Sequence, residues 1–429
     1  MPDKKIIRMV ILLLCCTLRT QAQDTPATDT LSLTLANAEK AFLENNFQLL
    51  AARFQVNAAE AAVLQARLWD NPVLSIDQGA YNQATGKWFD ASRTGQTTVA
   101  VEQVFSLAGK RNKRVALEKI NAGIAQNQFY DLMRTLRYEL HTSFFSLYFL
   151  RQSIAVYDQE IQSLRSLIEG YKIQYENGNI PFKELARLRS LKFNMENERL
   201  ELLKRAAENQ NTLILLTGDK LGRPVKPIAE TSFLDKIDMN SLRYGALVDT
   251  GLSCRYDLQI AASKVQLSQA NLSLQRSLRM PDLAIGGTWD RQGSYIENYN
   301  SVTLGLSIPL WDRNQGNIKA AKFMLDESKV QQSQAELEVR NDISKAYTQL
   351  MEAEKVYTSA SKYFMNDDYE KLIDGIVKGY KNKTINLLEF IDYYETYKNS
   401  KTEMNLLLIN RLEAMEYLNF VTGKNWFNY

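Results

Sequence analysis

Residues Tyr175–Gly218 and Tyr380–Gly423 are two copies of one stretch. YENGNIPFKELARLRSLKFNMENERLELLKRAAENQNTLILLTG and YKNKTINLLEFIDYYETYKNSKTEMNLLLINRLEAMEYLNFVTG align without a gap over 44 positions. They share 12 identities, among them Tyr175/Tyr380, Ile180/Ile385, Glu184/Glu389, Leu202/Leu407 and Thr217-Gly218/Thr422-Gly423. The copies start 205 residues apart, so the repeated unit is half the chain. It is far longer than the roughly 20–50-residue unit of a solenoid. Each half therefore holds several elements, and whatever one half folds into, the other must also form.

The order of signals within each half is the same. In the first, Leu49, Ala52, Val56, Ala59, Val63 and Ala66 recur at spacings of three and four, a helical seam with small residues that allow close backbone approach. Asn71-Pro72 stops it, because a residue before proline is pushed out of the α region. The period then changes to two: Leu74 and Ile76 alternate with Ser75 and Asp77, and Val99, Val101 and Phe105 with Thr98, Ala100 and Glu102. From Ala108 to Glu176 there is no proline. Leu140, Leu147, Ile154, Ile161 and Ile168 stand seven apart, with Leu150, Tyr157, Leu164 and Tyr171 as a second row. A helix over that run is about 100 Å long at 1.5 Å per residue, which no compact core needs. Gly178-Asn179-Ile180-Pro181 turns the chain back.

In the second half Leu258, Ala261, Val265, Ser268 and Leu272 replay the first seam, and Met280-Pro281 replays Asn71-Pro72. Leu283, Ile285 and Trp289 alternate with Ala284, Gly286, Thr288 and Asp290. Val302, Leu304, Leu306 and Ile308 alternate with Thr303, Gly305 and Ser307. The expected division is residues 23–230, with a strand hairpin at 72–105 and a helix tip near 178, and residues 231–429, with a hairpin at 281–310 and a tip near 383. Phe105 to Gly218 and Leu310 to Gly423 are equally long, so the length difference between the halves falls in the strand hairpins, where an exposed loop tolerates it. Strands of about 9–11 residues, apolar on one face and small or polar on the other, suit a membrane barrel with a wet interior. Four strands cannot close such a barrel, and lipid does not tolerate open edges. Two chains would supply roughly eight strands, whose side chains fill the interior; three would supply twelve and leave a lumen.

The remaining composition narrows the class. Residues 1–22 read as a secretory signal peptide: Lys4, Lys5 and Arg8, an apolar run over Met9–Leu18, and Thr20-Gln21-Ala22 at the cleavage position. Leu14 is too bulky to make Cys15 a good lipidation site. Of the 52 basic and 49 acidic residues, Lys4, Lys5, Arg8, Arg19 and Asp3 belong to this segment, which leaves 48 of each sign and no nucleic-acid footprint. Cys254 then has no cysteine to pair with, and together with His141, the single histidine, it lacks the partners that a metal or nucleophilic site needs. No phosphate loop, dinucleotide fingerprint or zinc helix is present, and no cofactor or enzymatic activity is expected. A secreted coiled-coil structural or adhesion protein would explain the heptads, but it leaves the two alternating hairpins without a role.

The chain resembles the TolC family of outer-membrane efflux proteins over almost its whole mature length. The resemblance rests on the helix-Asn-Pro-strand run at Ala51–Ile76, the corner Gln103–Arg111 (QVFSLAGKR), its copy Ile308–Gly316 (IPLWDRNQG), and the doubled tips. Ala108-Gly109-Lys110-Arg111 leans toward the cation-efflux branch. The resemblance implies a mainly α fold with a membrane β part: a homotrimer whose 12-stranded barrel in outer-membrane lipid stands on an α-helical periplasmic tunnel. It also implies a passive duct coupled to a periplasmic adaptor and to an inner-membrane pump of RND or ABC type. Glu389, Asp392, Glu184 and Tyr380 match the positions at the pore entrance. Gly178, Asn179, Ile180, Lys383, Thr384 and Ile385 match the helix tips that meet the adaptor. Lys383 departs from the tip glycine of the first copy, and Ile385 stands where a gating arginine occurs.

Overall fold

The computed structural model describes residues 30–428, apart from 232–233, 235–236, 238, 240–241, 293–295, 365–374 and 381; the expected signal peptide lies outside the described residues. A short strand, β1 (Leu31–Thr34), leads into helices α1 (Leu35–Asn45) and α2 (Phe47–Ala66). Asn46 separates the two helices and caps the second. Its Oδ1 accepts from the Leu49 amide at 3.0 Å while its Nδ2 donates to the Leu216 carbonyl at 3.0 Å. After Asn71-Pro72 comes β2 (Val73–Gln78), then a loop containing a small ladder of β3 (Tyr81–Asn82) with β4 (Lys87–Trp88), then β5 (Thr97–Phe105). Helix α3 (Lys110–Glu176) follows with 67 residues, and α4 (Phe182–Thr217) returns along it. β6 (Val225–Ile228) pairs in parallel with β1, which sequence periodicity did not reveal in strands of four residues.

The same order recurs as α5 (Tyr244–Cys254), α6 (Tyr256–Leu278), β7 (Leu283–Gln292), β8 (Glu297–Leu306), α7 (Gln315–Phe364), a helical segment over residues 375–380, and α8 (Leu387–Thr422). The duplicated Thr-Gly pairs now have a physical reason. Thr217 and Thr422 return their hydroxyls to Leu213 and Leu418 carbonyls at 2.7 and 2.8 Å, and Gly218 and Gly423 end their helices in the left-handed region, at φ 67° and 68°. A side chain on Gly218 would stand 2.4 Å from the Asn45 carbonyl oxygen, because the α1–α2 break rests on this glycine.

The heptad rows meet their partners. Leu140, Leu147, Leu150, Tyr157, Ile161, Leu164 and Ile168 are buried in a helical core that runs along α3. Helix α8 lies at its centre, packed on α3 and α7. It brings buried charge with it, and each charge is paired. Arg411 binds Glu354 at 2.6 Å and covers the Tyr357 ring, and Lys398 binds Glu198. Removing one partner of such a pair leaves an uncompensated charge in the core, so these contacts fix how α8 sits.

The four long strands form one antiparallel sheet in the order β2-β5-β7-β8. The expected alternation is present, with one difference. β2 has six residues rather than the nine or ten of the other three. Beyond Gln78 the chain leaves the sheet, because Tyr81 and Asn82 pair with Trp88 and Lys87 instead. The loop is gathered around Asp90. Its carboxylate accepts from Asn82, Thr85, Ser92 and Thr94 side chains at 2.5–3.1 Å, and the Ser92 hydroxyl beside it holds the group far below the usual carboxylate range. Residues 293–295 of the second loop, with Tyr295, lie outside the described residues.

Candidate channel wall and helix tips

Register sorts the sheet into two faces. Leu74, Val101, Gly287 and Val302 form one row across it, and Phe105, Leu283 and Leu306 another; Ile76, Val99, Ile285 and Leu304 share this face. The opposite face has Ser75, Ala100, Thr288 and Ser301 in one row and Asp77, Thr98, Asp290 and Tyr299 in the next, with Glu102, Gly286 and Thr303 beside them. The apolar face stands open: Leu74, Ile76, Val302, Leu304 and Leu306 are all exposed. Strands of nine or ten residues rise about 30 Å, and at the tilt of about 40° usual in membrane barrels they cover an apolar band of roughly 25 Å. Among the described residues no helix is long and apolar enough to cross a membrane.

The polar face carries Asp77, Glu102, Asp290 and Glu297, and no Lys or Arg among the described strand residues. Arg291 points to the apolar side, over the Trp289 ring and onto the Ala91 carbonyl at 2.6 Å. The sequence names Asp77, Glu102 and Asp290 in the strand alternation but points to acids as site residues only at the helix tips. The alternation needed to find these four was present, but only the four-strand register brings them to one surface.

The two tips lie side by side. Tyr171 and Tyr380 stack at 5.4 Å, and Tyr380 stacks on Phe390 at 4.4 Å. Their backbones match closely: Gly178 N donates to Tyr175 O and Lys383 N to Tyr380 O, while Asn179 N and Thr384 N reach Gln174 O and Gly379 O. Gly178 has φ 75° and Lys383 φ 59°, so the lysine occupies the left-handed position that glycine holds in the first copy. Gly178, Asn179, Lys383 and Thr384 are exposed, and Ile180 and Ile385 half-buried.

Three of the expected pore-entrance residues are engaged within the chain. Tyr380 is 4% exposed, and burial, with the Tyr171 and Glu184 oxygens nearby, pushes its phenol far up. Glu389 is exposed, and its carboxylate is engaged at the start of α8. Its Oε2 accepts from the Asn386 amide at 3.0 Å while Asn386 Oδ1 accepts from the Glu389 amide at 3.0 Å, a reciprocal cap of α8. Glu184 has Pro181 at its own helix start, which offers no side-chain cap, and it sits half-buried. Asp392 is exposed. Helix capping competes for the carboxylate, a local preference that the three-residue spacing Asn386/Glu389 already contained.

A sheet with one apolar and one polar face, standing on a helical body whose longest helix, α3, runs about 100 Å, defines an outer-membrane channel protein. The chain belongs to the outer membrane efflux protein family, whose model matches residues 40–219 and 247–361. It is 21% identical over 394 residues to the cobalt-zinc-cadmium resistance protein CzcC of Cupriavidus metallidurans, covering 91% of this chain and 90% of that one. Its fold is that of the Campylobacter jejuni CmeC outer membrane channel (TM-score 0.75, 13% identity, 92% of this chain and 87% of that one). It is likewise that of CusC, whose crystal structures concern folding and transmembrane channel formation (TM-score 0.73, 15% identity, 91% and 92%).

Proposed function

We propose that this outer-membrane efflux channel is the passive exit duct of a tripartite system and that its cargo is cationic. Three copies close a 12-stranded barrel. The tips at Gly178–Ile180 and Lys383–Ile385 meet a periplasmic adaptor, and an RND or ABC-type inner-membrane pump supplies the energy. The observation that carries the cargo reading is the polar sheet face, with four acids per chain and no base among its described residues. A ring of one sign in a low-dielectric wall concentrates counter-ions and excludes co-ions. The similarity to a cobalt-zinc-cadmium resistance protein supports metal cations as the cargo. Asp392 and Glu184 add negative charge near the periplasmic mouth; Glu389 contributes less, its carboxylate being engaged at the helix cap.

The measurement is reversal potential in planar bilayers under a salt gradient. The wild-type channel is expected to favour cations, and Glu102→Gln/Asp290→Asn to move the reversal potential toward zero with little change in expression, since exposed charges contribute little to stability. An unchanged potential would show that the wall does not select. Asp392→Asn is expected to shift it less.

A further inference from the structure

The loop between β2 and β5 encloses a cavity that the channel reading leaves without a role. β2 is entered from α2 and β5 leaves toward α3, so this loop stands at the end of the sheet away from the helices. In an outer-membrane channel that end faces out of the cell. The cavity holds about 280 Å³ and takes its wall from both hairpins: Tyr81, Gln83 and Gln96 from the first, Gln292 from the second. Its volume is close to the lower end of the roughly 300–1,000 Å³ of small-molecule sites.

The loop is held in shape from within. Asp90 is buried, and both of its oxygens are spent inside the loop: Oδ2 accepts from the Asn82 amide and the Thr85 and Thr94 hydroxyls, Oδ1 from the Ser92 N–H and hydroxyl. Asn82 is used up as well, its Nδ2 reaching the Thr94 carbonyl and its Oδ1 accepting from the Ala84 and Thr85 amides. Arg291 ties the loop to β7 through the Ala91 and Ser92 carbonyls at 2.6 and 3.2 Å. A Cβ on Gly95 would stand 1.5 Å from the Asp90 carbonyl oxygen, so the loop closes this tightly only around glycine. A site shaped in advance spends little of its binding energy on ordering itself.

What the wall leaves for a ligand is neutral and two-sided. Among the described residues Asp90 is the only charged group lining the cavity, and no hydrogen bond engages the side-chain amides of Gln83, Gln96 or Gln292. Each amide offers a donor and an acceptor together, the pattern that hydroxyls match. An ion would find no free opposite charge here, and an apolar ligand would leave the amides unpaired. Beside them stands an aromatic surface. Tyr81 packs against Trp88, its cross-strand neighbour, at 5.1 Å, and Trp88 is 71% exposed. Phe89 is exposed too, at φ 46°, a left-handed conformation uncommon for a bulky residue. Strain of this kind gathers at binding sites, and here it leaves neighbouring rings in the open. We propose that this loop binds a neutral saccharide, whose ring lies on the Tyr81–Trp88 pair while its hydroxyls bond to the three glutamine amides. Such a sugar has two sources, the glycolipid of the cell's own outer leaflet and soluble sugar outside the cell.

The test is saturation-transfer NMR on the full channel in a detergent without a sugar headgroup. The probes are glucose, galactose, N-acetylglucosamine and the lipid-free, dephosphorylated core oligosaccharide of lipopolysaccharide, with sialic acid as an anionic control. At least one neutral probe is expected to receive saturation on its ring protons, and sialic acid none. Transfer to the oligosaccharide alone would support the site and assign it to the surface glycolipid; transfer to a monosaccharide would support it and assign it to soluble sugar. Trp88→Ala and Gln83→Ala/Gln96→Ala are each expected to weaken binding about tenfold. Their circular dichroism should not change, because these side chains are exposed. Trp88→Phe, which keeps a ring, is expected to restore most of the affinity that Trp88→Ala loses. Transfer to no neutral probe, equal transfer to sialic acid, or unchanged binding in either alanine variant would overturn the proposal.

Discussion

His141 should make stability fall as pH rises. Its ring is 7% exposed, with Nδ1 2.8 Å from Glu416 Oε1 and Nε2 2.9 Å from Glu39 Oε1, so one imidazolium joins α1, α3 and α8. Burial alone would drive its pKa down; the hydrogen bonds to Glu39 and Glu416 and their charges outweigh that and lift it from 6.5 to about 9. At about 1.4 kcal/mol per unit the shift corresponds to about 3 kcal/mol, an upper bound because Glu39 is partly exposed and screened by water. A folded pKa above the unfolded one means that this stabilisation is complete below pH about 6.5 and is lost as pH rises through about 9. Glu39 works at the other end: its bond to His141 holds its pKa below the usual value, so its share is lost only on acidification through that depressed value. The perturbation is His141→Gln, which keeps a donor and removes the charge. Denaturant unfolding of the detergent-extracted protein, followed by helical circular dichroism at pH 6, 8 and 10, reads the effect. The wild type should lose a large part of about 3 kcal/mol between pH 6 and 10, and the variant should start low and stay flat over that interval. The same pH slope in both proteins would refute the charged clamp.

The helix ends give two further tests. Gly218→Ala should destabilise several-fold more than Gly423→Ala, because its new Cβ would meet backbone at 2.4 Å whereas the nearest atom at Gly423 is 3.3 Å away; the latter should cost about 1 kcal/mol from the left-handed conformation alone. Equal losses in thermal unfolding would show that close packing at the α1–α2 break is not the cause. Lys383→Gly should stabilise the second tip by roughly 0.5 kcal/mol, the relief of left-handed strain less the added freedom of glycine in the unfolded chain. Slower amide exchange at Lys383, whose N–H donates to Tyr380 O at 3.1 Å, checks it, and faster exchange would count against it.

Much of the candidate site was legible before the coordinates. Leu74, Ile76, Val302 and Leu304 were readable as one apolar face because strand alternation is a local property that pairing only confirms. The tip turns were readable from the duplicated Tyr-x-Asn run, but what their side chains do was not. Tyr380 is buried by stacking on Phe390, across its own tip turn, and on Tyr171, which comes from the other half of the chain. The sequence shows only that His141 lacks the set of partners a metal or nucleophilic site needs; its carboxylate partners Glu39 and Glu416 lie 102 and 275 residues away, beyond any local pattern.

The sequence by itself determined the repeat, the length of its helices and the two-faced strands, since each of these follows from spacing along the chain. Only the tertiary structure decided which half makes its interface inside the chain and which is left open. The first corner carries Lys110 against Asp282, where the second has Gln315 and Val73, so internal docking has an ion pair and the outer edge has apolar surface. That choice depends on residues that meet only after the halves pair. A linear pattern, the same in both copies, does not hold it.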